Sequence, residues 1–185
     1  DIYIVDPLYG FPNKQRIFYD VRSVLRSVRN GEIFNMHVKD RFMQQIFTEE
    51  FLAKAHYVEQ ELPARTYTEK QKFAMAEDLL HKYARAKLVI TSRIHCALPC
   101  LALGTPVIYI NGFDSFVDSC RLDGLANLFN RIDIERKTKK VTNNFGLNGK
   151  IGLDFSIQNT NAHVPYAEAM KKRCREFIHE AAVSH

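Results

Sequence analysis

Apolar positions along this chain follow two periods. Four short runs, Asp1–Val5, Ala55-His56-Tyr57-Val58, Leu88-Val89-Ile90-Thr91 and Val107-Ile108-Tyr109-Ile110, read as strands, and the β-branched run Leu88–Thr91 suits one buried on both faces, as in a parallel sheet. Between them apolar residues recur at helical spacing. Val21, Val24, Leu25 and Val28 share one face before the stop at Asn30-Gly31, and Phe42, Ile46 and Phe51-Leu52 mark one helix around residues 39–54. Phe73, Ala76, Leu79-Leu80 and Tyr83 mark another, whose start is set by the capping box Thr68-Glu69-Lys70-Gln71. The alternation of strand and helix from Ala55 to Ile110 predicts an α/β fold, a mostly parallel sheet between helices in one Rossmann-like domain over residues 1–185.

Beyond Ile110 the pattern is looser. Phe116–Phe129 reads as short helix with a break near Gly124, and Ile132–Val141 as a strand. The Asn- and Gly-rich stretch 142–163 is expected to be a flexible loop or a connection between domains. Tyr166–Ala182 reads as an amphipathic helix with Met170, Cys174, Phe177 and Ile178 facing inward.

Composition narrows the function classes. At 185 residues and 46% hydrophobic the chain can bury a sizeable core, and it holds no apolar run of the roughly 18 residues that a membrane helix needs. The net charge of +5 suits phosphorylated ligands, an acidic polymer or nucleic acid equally. The densest basic cluster, Arg136–Lys140, has no interleaved aromatics and reads as a solvated loop; no nucleic-acid-binding module accompanies it. Cys96, Cys100, Cys120 and Cys174 show neither C-x-x-C spacing nor a second ligand pair for a metal, so they are expected to be buried free thiols in a reducing compartment, with no metal site. The chain opens in mid-strand at Asp1-Ile2 without an initiator Met, as expected for part of a longer protein.

The stretch most concentrated in chemistry is Lys87–Gly112. A polar knot, Thr91-Ser92-Arg93-Ile94-His95, separates the strand at Leu88 from the compact segment Cys96–Leu103. In open α/β sheets ligands lie outside the carboxyl ends of the strands, where helix N-termini offer free N–H groups. Arg93 and His95 fall at that edge: a fixed cation and a proton-exchanging imidazole, suited to an anionic substrate and proton transfer. Pro99 fits only the first turn of a helix, which places the helix start near Ala97 or Leu98 and leaves Ser92–His95 as the loop leading in. Thr91, Ser92, and the residues Asn111, Gly112, Asp114 and Ser115 of the loop after the next strand are candidates to hold substrate; Asp114 and Ser115 equally suit a helix cap. The loop after the first strand, carrying Tyr9 and Phe11, lies at the same edge but lacks a G-x-G-x-x-G pattern.

Ile90-Thr91-Ser92-Arg93-Ile94-His95, Ala97-Leu98-Pro99 and Leu101-Ala102-Leu103-Gly104-Thr105-Pro106-Val107-Ile108 together resemble the signature block of the polysaccharide pyruvyl transferases. The resemblance covers residues 74–112 most closely, and Cys96 stands where the family usually has a small residue. It implies one half, the C-terminal one, of a two-domain fold of the GT-B type, with the N-terminal half-domain as partner. It further implies transfer of a pyruvyl group from phosphoenolpyruvate to a pair of hydroxyls on a sugar or glycan acceptor, with no other cofactor, in the cytoplasm, either free or at the membrane face through a lipid-linked glycan substrate. Arg93 would bind anion and His95 would serve as acid or base. Two other readings of the residues stand beside it: a nucleotide-sugar-dependent glycosyltransferase half-domain, weakened by the lack of a Glu following Gly104-Thr105-Pro106, and a non-catalytic glycan-binding domain.

Overall fold

The computed structural model describes residues 1–8, 17–31, 33, 36–60, 67–112, 122, 124–135 and 137–183. Six strands make one sheet: β1 (Ile2–Val5), β2 (His56–Val58), β3 (Leu88–Thr91), β4 (Val107–Asn111), β5 (Asn130–Glu135) and β6 (Lys140–Asn143), in the order β2-β1-β3-β4-β5-β6. The first five are parallel and β6 runs antiparallel at the edge. Val5, Thr91, Tyr109 and Arg131 lie side by side in register.

Among the described residues, six α-helices cover the sheet or project from it: α1 (Val21–Arg29), α2 (Met36–Ile46), α3 (Glu49–Lys54), α4 (Glu69–Ala84), α5 (Ile94–Ala102) and α6 (Val164–Val183). Successive strand residues point to opposite faces, and the core divides accordingly. On one face Ile4, Ile90, Ile108, Ile110 and Ile132 meet Phe42, Met43 and Ile46 of α2 and Phe51 of α3. On the other, Val5, Val89, Val107 and Tyr109 meet Tyr83 of α4 and Cys96, Ala97, Cys100 and Leu101 of α5. Burying each such aliphatic side chain contributes roughly 1.5–3 kcal/mol. The connection after β1 thus runs over one face while the helices before and after β3 lie on the other. Between β1 and β3 the winding reverses, and the sheet opens a crevice at its carboxyl edge.

The Rossmann-like reading of the fold holds, with four corrections in detail. The single helix expected around 39–54 is two. Phe47 leaves the helical line to bridge Ile151, and Thr48 then caps α3, its Oγ accepting the Phe51 N–H at 3.2 Å. The strand expected over Ile132–Val141 is a hairpin of β5 and β6, with Lys137, Lys139 and Lys140 exposed about its turn. The stretch expected as loop does lack regular structure from Asn144 to His163, yet it is fastened to the sheet. Ile151 is fully buried, and Asn159 accepts the Val107 N–H at 2.9 Å while donating to the Thr105 carbonyl at 2.7 Å. Finally, the apolar stripe of α6 does not turn inward: Met170 and Phe177 are 69% and 71% exposed, Ile178 is exposed with them, and Cys174 is an exposed thiol. The same holds for Val21, Leu25 and Val28 of α1. Among the described residues no helix is long and apolar enough to cross a membrane.

Candidate functional site

Arg93 and His95 stand at the β1/β3 crevice, and the chain builds their setting from three strand ends. β3 ends at Thr91, and α5 begins at Ile94 with Arg93 as its N-cap residue. This departs from the expected start near Ala97: His95 lies in the first helical turn and Pro99 lies inside the helix. A proline there has no N–H for the carbonyl four residues back, so the His95 carbonyl goes without its helical bond. Arg93 cannot cap as Ser or Asp would, and among the described residues no side-chain cap bond closes the helix start. The first turn of α5 therefore presents N–H groups at the carboxyl edge, where a dipole end favours an anion.

The guanidinium is held by a residue that periodicity alone did not mark. Arg93 Nε donates to Asp6 Oδ2 at 2.9 Å, with the two side chains only 22% and 10% exposed. Asp6 directly follows β1 and occupies the left-handed region at φ 40°, as does Leu8 at φ 56°. Such backbone is disfavoured for residues with a Cβ and persists where surroundings over-determine it. Here the surroundings are visible: the Asp6 N–H donates to the Val58 carbonyl, its carbonyl accepts the Ser92 hydroxyl at 2.7 Å, and its Oδ2 also accepts the Gln60 N–H at 3.1 Å. Leu8 is sunk in the core. Asp6 ties the ends of β1, β2 and β3 together.

A ring of bonds runs beneath the motif. Gln60 Nε2 donates to the Tyr83 hydroxyl at 3.1 Å; Tyr83 is hydrogen-bonded to Cys96, Cys96 to Thr91, and Thr91 Oγ1 accepts the Arg93 N–H at 3.0 Å. Burial pushes the Tyr83 phenol far up, and its bond to Cys96 together with burial does the same for the Cys100 thiol. Tyr83 and Cys100 stay protonated, whereas the hydrogen bond from Cys100 draws the Cys96 thiol below its ordinary value; both cysteines are buried free thiols, as expected.

The other candidates divide. Thr91 and Ser92 are buried, and their hydroxyls are spent on the Arg93 backbone and Asp6. They shape the turn. His95 is exposed. Asn111 ends β4 at the same edge, its amide donating to Asp133 Oδ1 at 2.8 Å, and Gly112 is buried beside it. Asp114, Ser115, Tyr9 and Phe11 lie outside the described residues. Arg131 and Asp133, which sequence patterning passed over, form a second ion pair at 2.9 Å on β5. A mixed-charge depression lined by Glu50, Lys54, Lys150 and Asp154 lies on the far, amino side of the strands, where Lys87 Nζ reaches the Leu153 carbonyl. It contains no motif residue, and the chemistry of the chain points to the opposite edge.

A doubly wound, mostly parallel sheet with Arg93, His95 and the start of α5 at its winding reversal defines a Rossmann-like α/β domain. Residues 5–115, more than half of the chain, match the polysaccharide pyruvyl transferase family, and the chain belongs to it; the protein is a transferase. The match ends before β5, so Arg131 and Asp133 fall outside it. No curated protein and no solved structure matches the chain.

Proposed function

We propose that the protein transfers the pyruvyl group of phosphoenolpyruvate to a pair of sugar hydroxyls, forming a ketal, and that the β1/β3 crevice is the donor site. One observation carries the reading: Arg93 and His95 of the family's signature block stand together at the winding reversal, with Asp6 fixing the guanidinium. The overall change needs no redox partner. Two C–O bonds form at the enol carbon and its bond to the phosphate oxygen breaks. One hydroxyl proton goes to the methylene carbon, and the other departs with the phosphate or to water. Arg93 holds an anionic group of the donor. His95, exposed in the first turn of α5, carries one of the proton transfers. The N–H groups at the start of α5 stabilise the phosphate as it leaves. Asn111 and Gly112, with Asp114 and Ser115 beyond them, serve the sugar. The partner is the half-domain expected to precede this one, and the setting is cytoplasmic, where a lipid-linked or soluble glycan precursor supplies the hydroxyls.

The test is calorimetric titration with phosphoenolpyruvate and, separately, UDP, GDP and CMP, repeated on Arg93→Ala. Binding of phosphoenolpyruvate alone, lost in the variant, is the expected result. Preference for a nucleotide would replace this reading with a glycosyltransferase.

A further inference from the structure

The amphipathy of helix α1 is inverted. Residues spaced by three or four stack along one side of a helix, and α1 carries three such rows. Ser23 and Ser27 form the row turned toward the protein: Ser27 is buried, Ser23 is half-buried, and half-buried Val24 lies beside them. Val21, Leu25 and Val28 form the second row, and they are 75%, 65% and 48% exposed. Phe18 and Tyr19, just before the helix, are exposed as well, although Ile17 is anchored in the core. A surface helix ordinarily turns its apolar row to the core and its polar row to water. In α1 the serines face in and the aliphatic side chains face out.

The third row is Arg22, Arg26 and Arg29, all exposed, running beside the apolar row for the length of the helix. Among the described residues none of the three makes an ion pair. The helix itself holds no acidic residue, and the carboxylate at its start, Asp20, is taken up in capping, its Oδ1 accepting the Ser23 N–H at 2.6 Å. Such a strip fits an occupant that is anionic at its surface and apolar beneath. A second α1 does not qualify, because it brings three more arginines and no acidic residue. A dissolved anion would satisfy the arginines and leave the apolar row in water. An anionic bilayer satisfies both rows, its phosphates meeting the guanidiniums while the aliphatic and aromatic side chains sink toward the acyl chains. The rows are neighbours, about 100° apart around the helix, so one flat surface reaches both, which favours a bilayer over a protein groove clasping opposite sides.

We propose that α1 is an interfacial anchor that adsorbs the protein to an anionic lipid surface, with Val21, Leu25 and Val28 seated below the headgroups and Arg22, Arg26 and Arg29 on the lipid phosphates. The inference does not rest on the donor reading, and its readout is lipid binding rather than turnover. A nine-residue helix makes a weak and reversible contact whose arginine part is screened by salt.

The full-length protein is sedimented with phosphatidylcholine vesicles and with mixed phosphatidylcholine–phosphatidylglycerol vesicles, beside Leu25→Ser and a triple variant combining Arg22→Ala, Arg26→Ala and Arg29→Ala. The expected result is binding to the anionic vesicles alone, weakened about tenfold by Leu25→Ser and about a hundredfold by the triple variant. Both variants should melt where the unaltered protein does in the absence of lipid, since the substituted side chains are exposed. No binding to the anionic vesicles, or binding that neither variant weakens, overturns the proposal. Equal binding to both kinds of vesicle also overturns it, because the arginines would then be idle. If the protein ignores vesicles but binds polyglutamate through the three arginines, the occupant is an acidic protein and the proposal fails. A smaller mass in sedimentation velocity, or a lower melting temperature, for Leu25→Ser without lipid would show that another copy or another part of the protein already covers the strip, and would overturn it too.

Discussion

The carboxyl edge of the sheet holds two arginine–aspartate pairs of equal length, and they differ in nearly everything else. Arg131 and Asp133 sit two residues apart on one face of β5, with Nε 2.9 Å from the carboxylate, and are bonded further to Asn111 and Asn127. That pair is local, made from a strand and its neighbours, and knits β4, β5 and the 3-10 turn at Leu125–Leu128. Arg93 and Asp6 are 87 residues apart, come from different strand ends, and meet where the winding reverses. Asp6 reaches Arg93 from strained backbone that three strand ends hold in place. A local network can be satisfied by whatever lies nearby; one assembled from distant strand ends on strained backbone is held in place by the fold as a whole. The first pair is local architecture, and the second is fixed by the meeting of three strand ends.

Substitution separates them. Arg93→Ala should lower kcat/KM by about a hundred- to a thousandfold, measured with saturating acceptor, because a charged contact at the reacting centre is lost. Asp6→Asn keeps an oxygen for Nε and the Gln60 N–H but loses the charge that fixes the guanidinium; a loss of up to about a hundredfold in kcat/KM is expected, with the fold intact by circular dichroism. Arg131→Ala should leave turnover within about threefold while lowering stability by about 1–2 kcal/mol in denaturant titration. If Arg131→Ala were as damaging to turnover as Arg93→Ala, the distinction between the pairs would collapse.

Much of this site was legible in the sequence. The strand run Leu88–Thr91, the triplet Arg93-Ile94-His95 and the strand Val107–Ile110 are local patterns, and local patterns place a motif at a sheet edge without any knowledge of the rest. Asp6 was not legible, because its role depends on which strands become neighbours, and nothing in Val5-Asp6-Pro7 shows that β1 lies beside β3. The helix faces fail for another reason. Periodicity shows that Met170, Phe177 and Ile178 share a side of α6, but not what that side meets, and among the described residues it meets nothing that buries it. Pro99 was misplaced because the rule that confines proline to the first turn was applied to a helix that starts three residues earlier and tolerates the missing bond.

Two smaller effects sharpen the comparison. Loss of water around Lys39 of α2 holds its folded-state pKa below the ordinary 10.5, so the unfolded chain holds that proton more tightly. Its charge therefore weakens the fold at neutral pH, and stability recovers as pH climbs through the folded pKa toward 10.5. Lys39→Met should raise the melting temperature at neutral pH by roughly 2 °C, with the gain shrinking in alkali; a fall at neutral pH would mean that the lysine supports the fold. Tyr109 lies between the pairs, opposite Thr91 and Arg131 on the flanking strands; among the described residues its buried hydroxyl has no hydrogen-bond partner, and burial pushes its pKa up to about 12. Tyr109→Phe should gain up to about 1 kcal/mol in thermal or denaturant unfolding, whereas a loss would show that the hydroxyl is bonded in solution.

The most direct measurement is an amide NMR titration of the protein with phosphoenolpyruvate, following both pairs at once. Shifts that saturate together at Asp6 and across Thr91–Cys96, with Asn127–Asp133 unmoved and every change absent in Arg93→Ala, are what a donor site at the winding reversal predicts. Shifts centred on Arg131 and Asp133, or persisting without the Arg93 guanidinium, would contradict it.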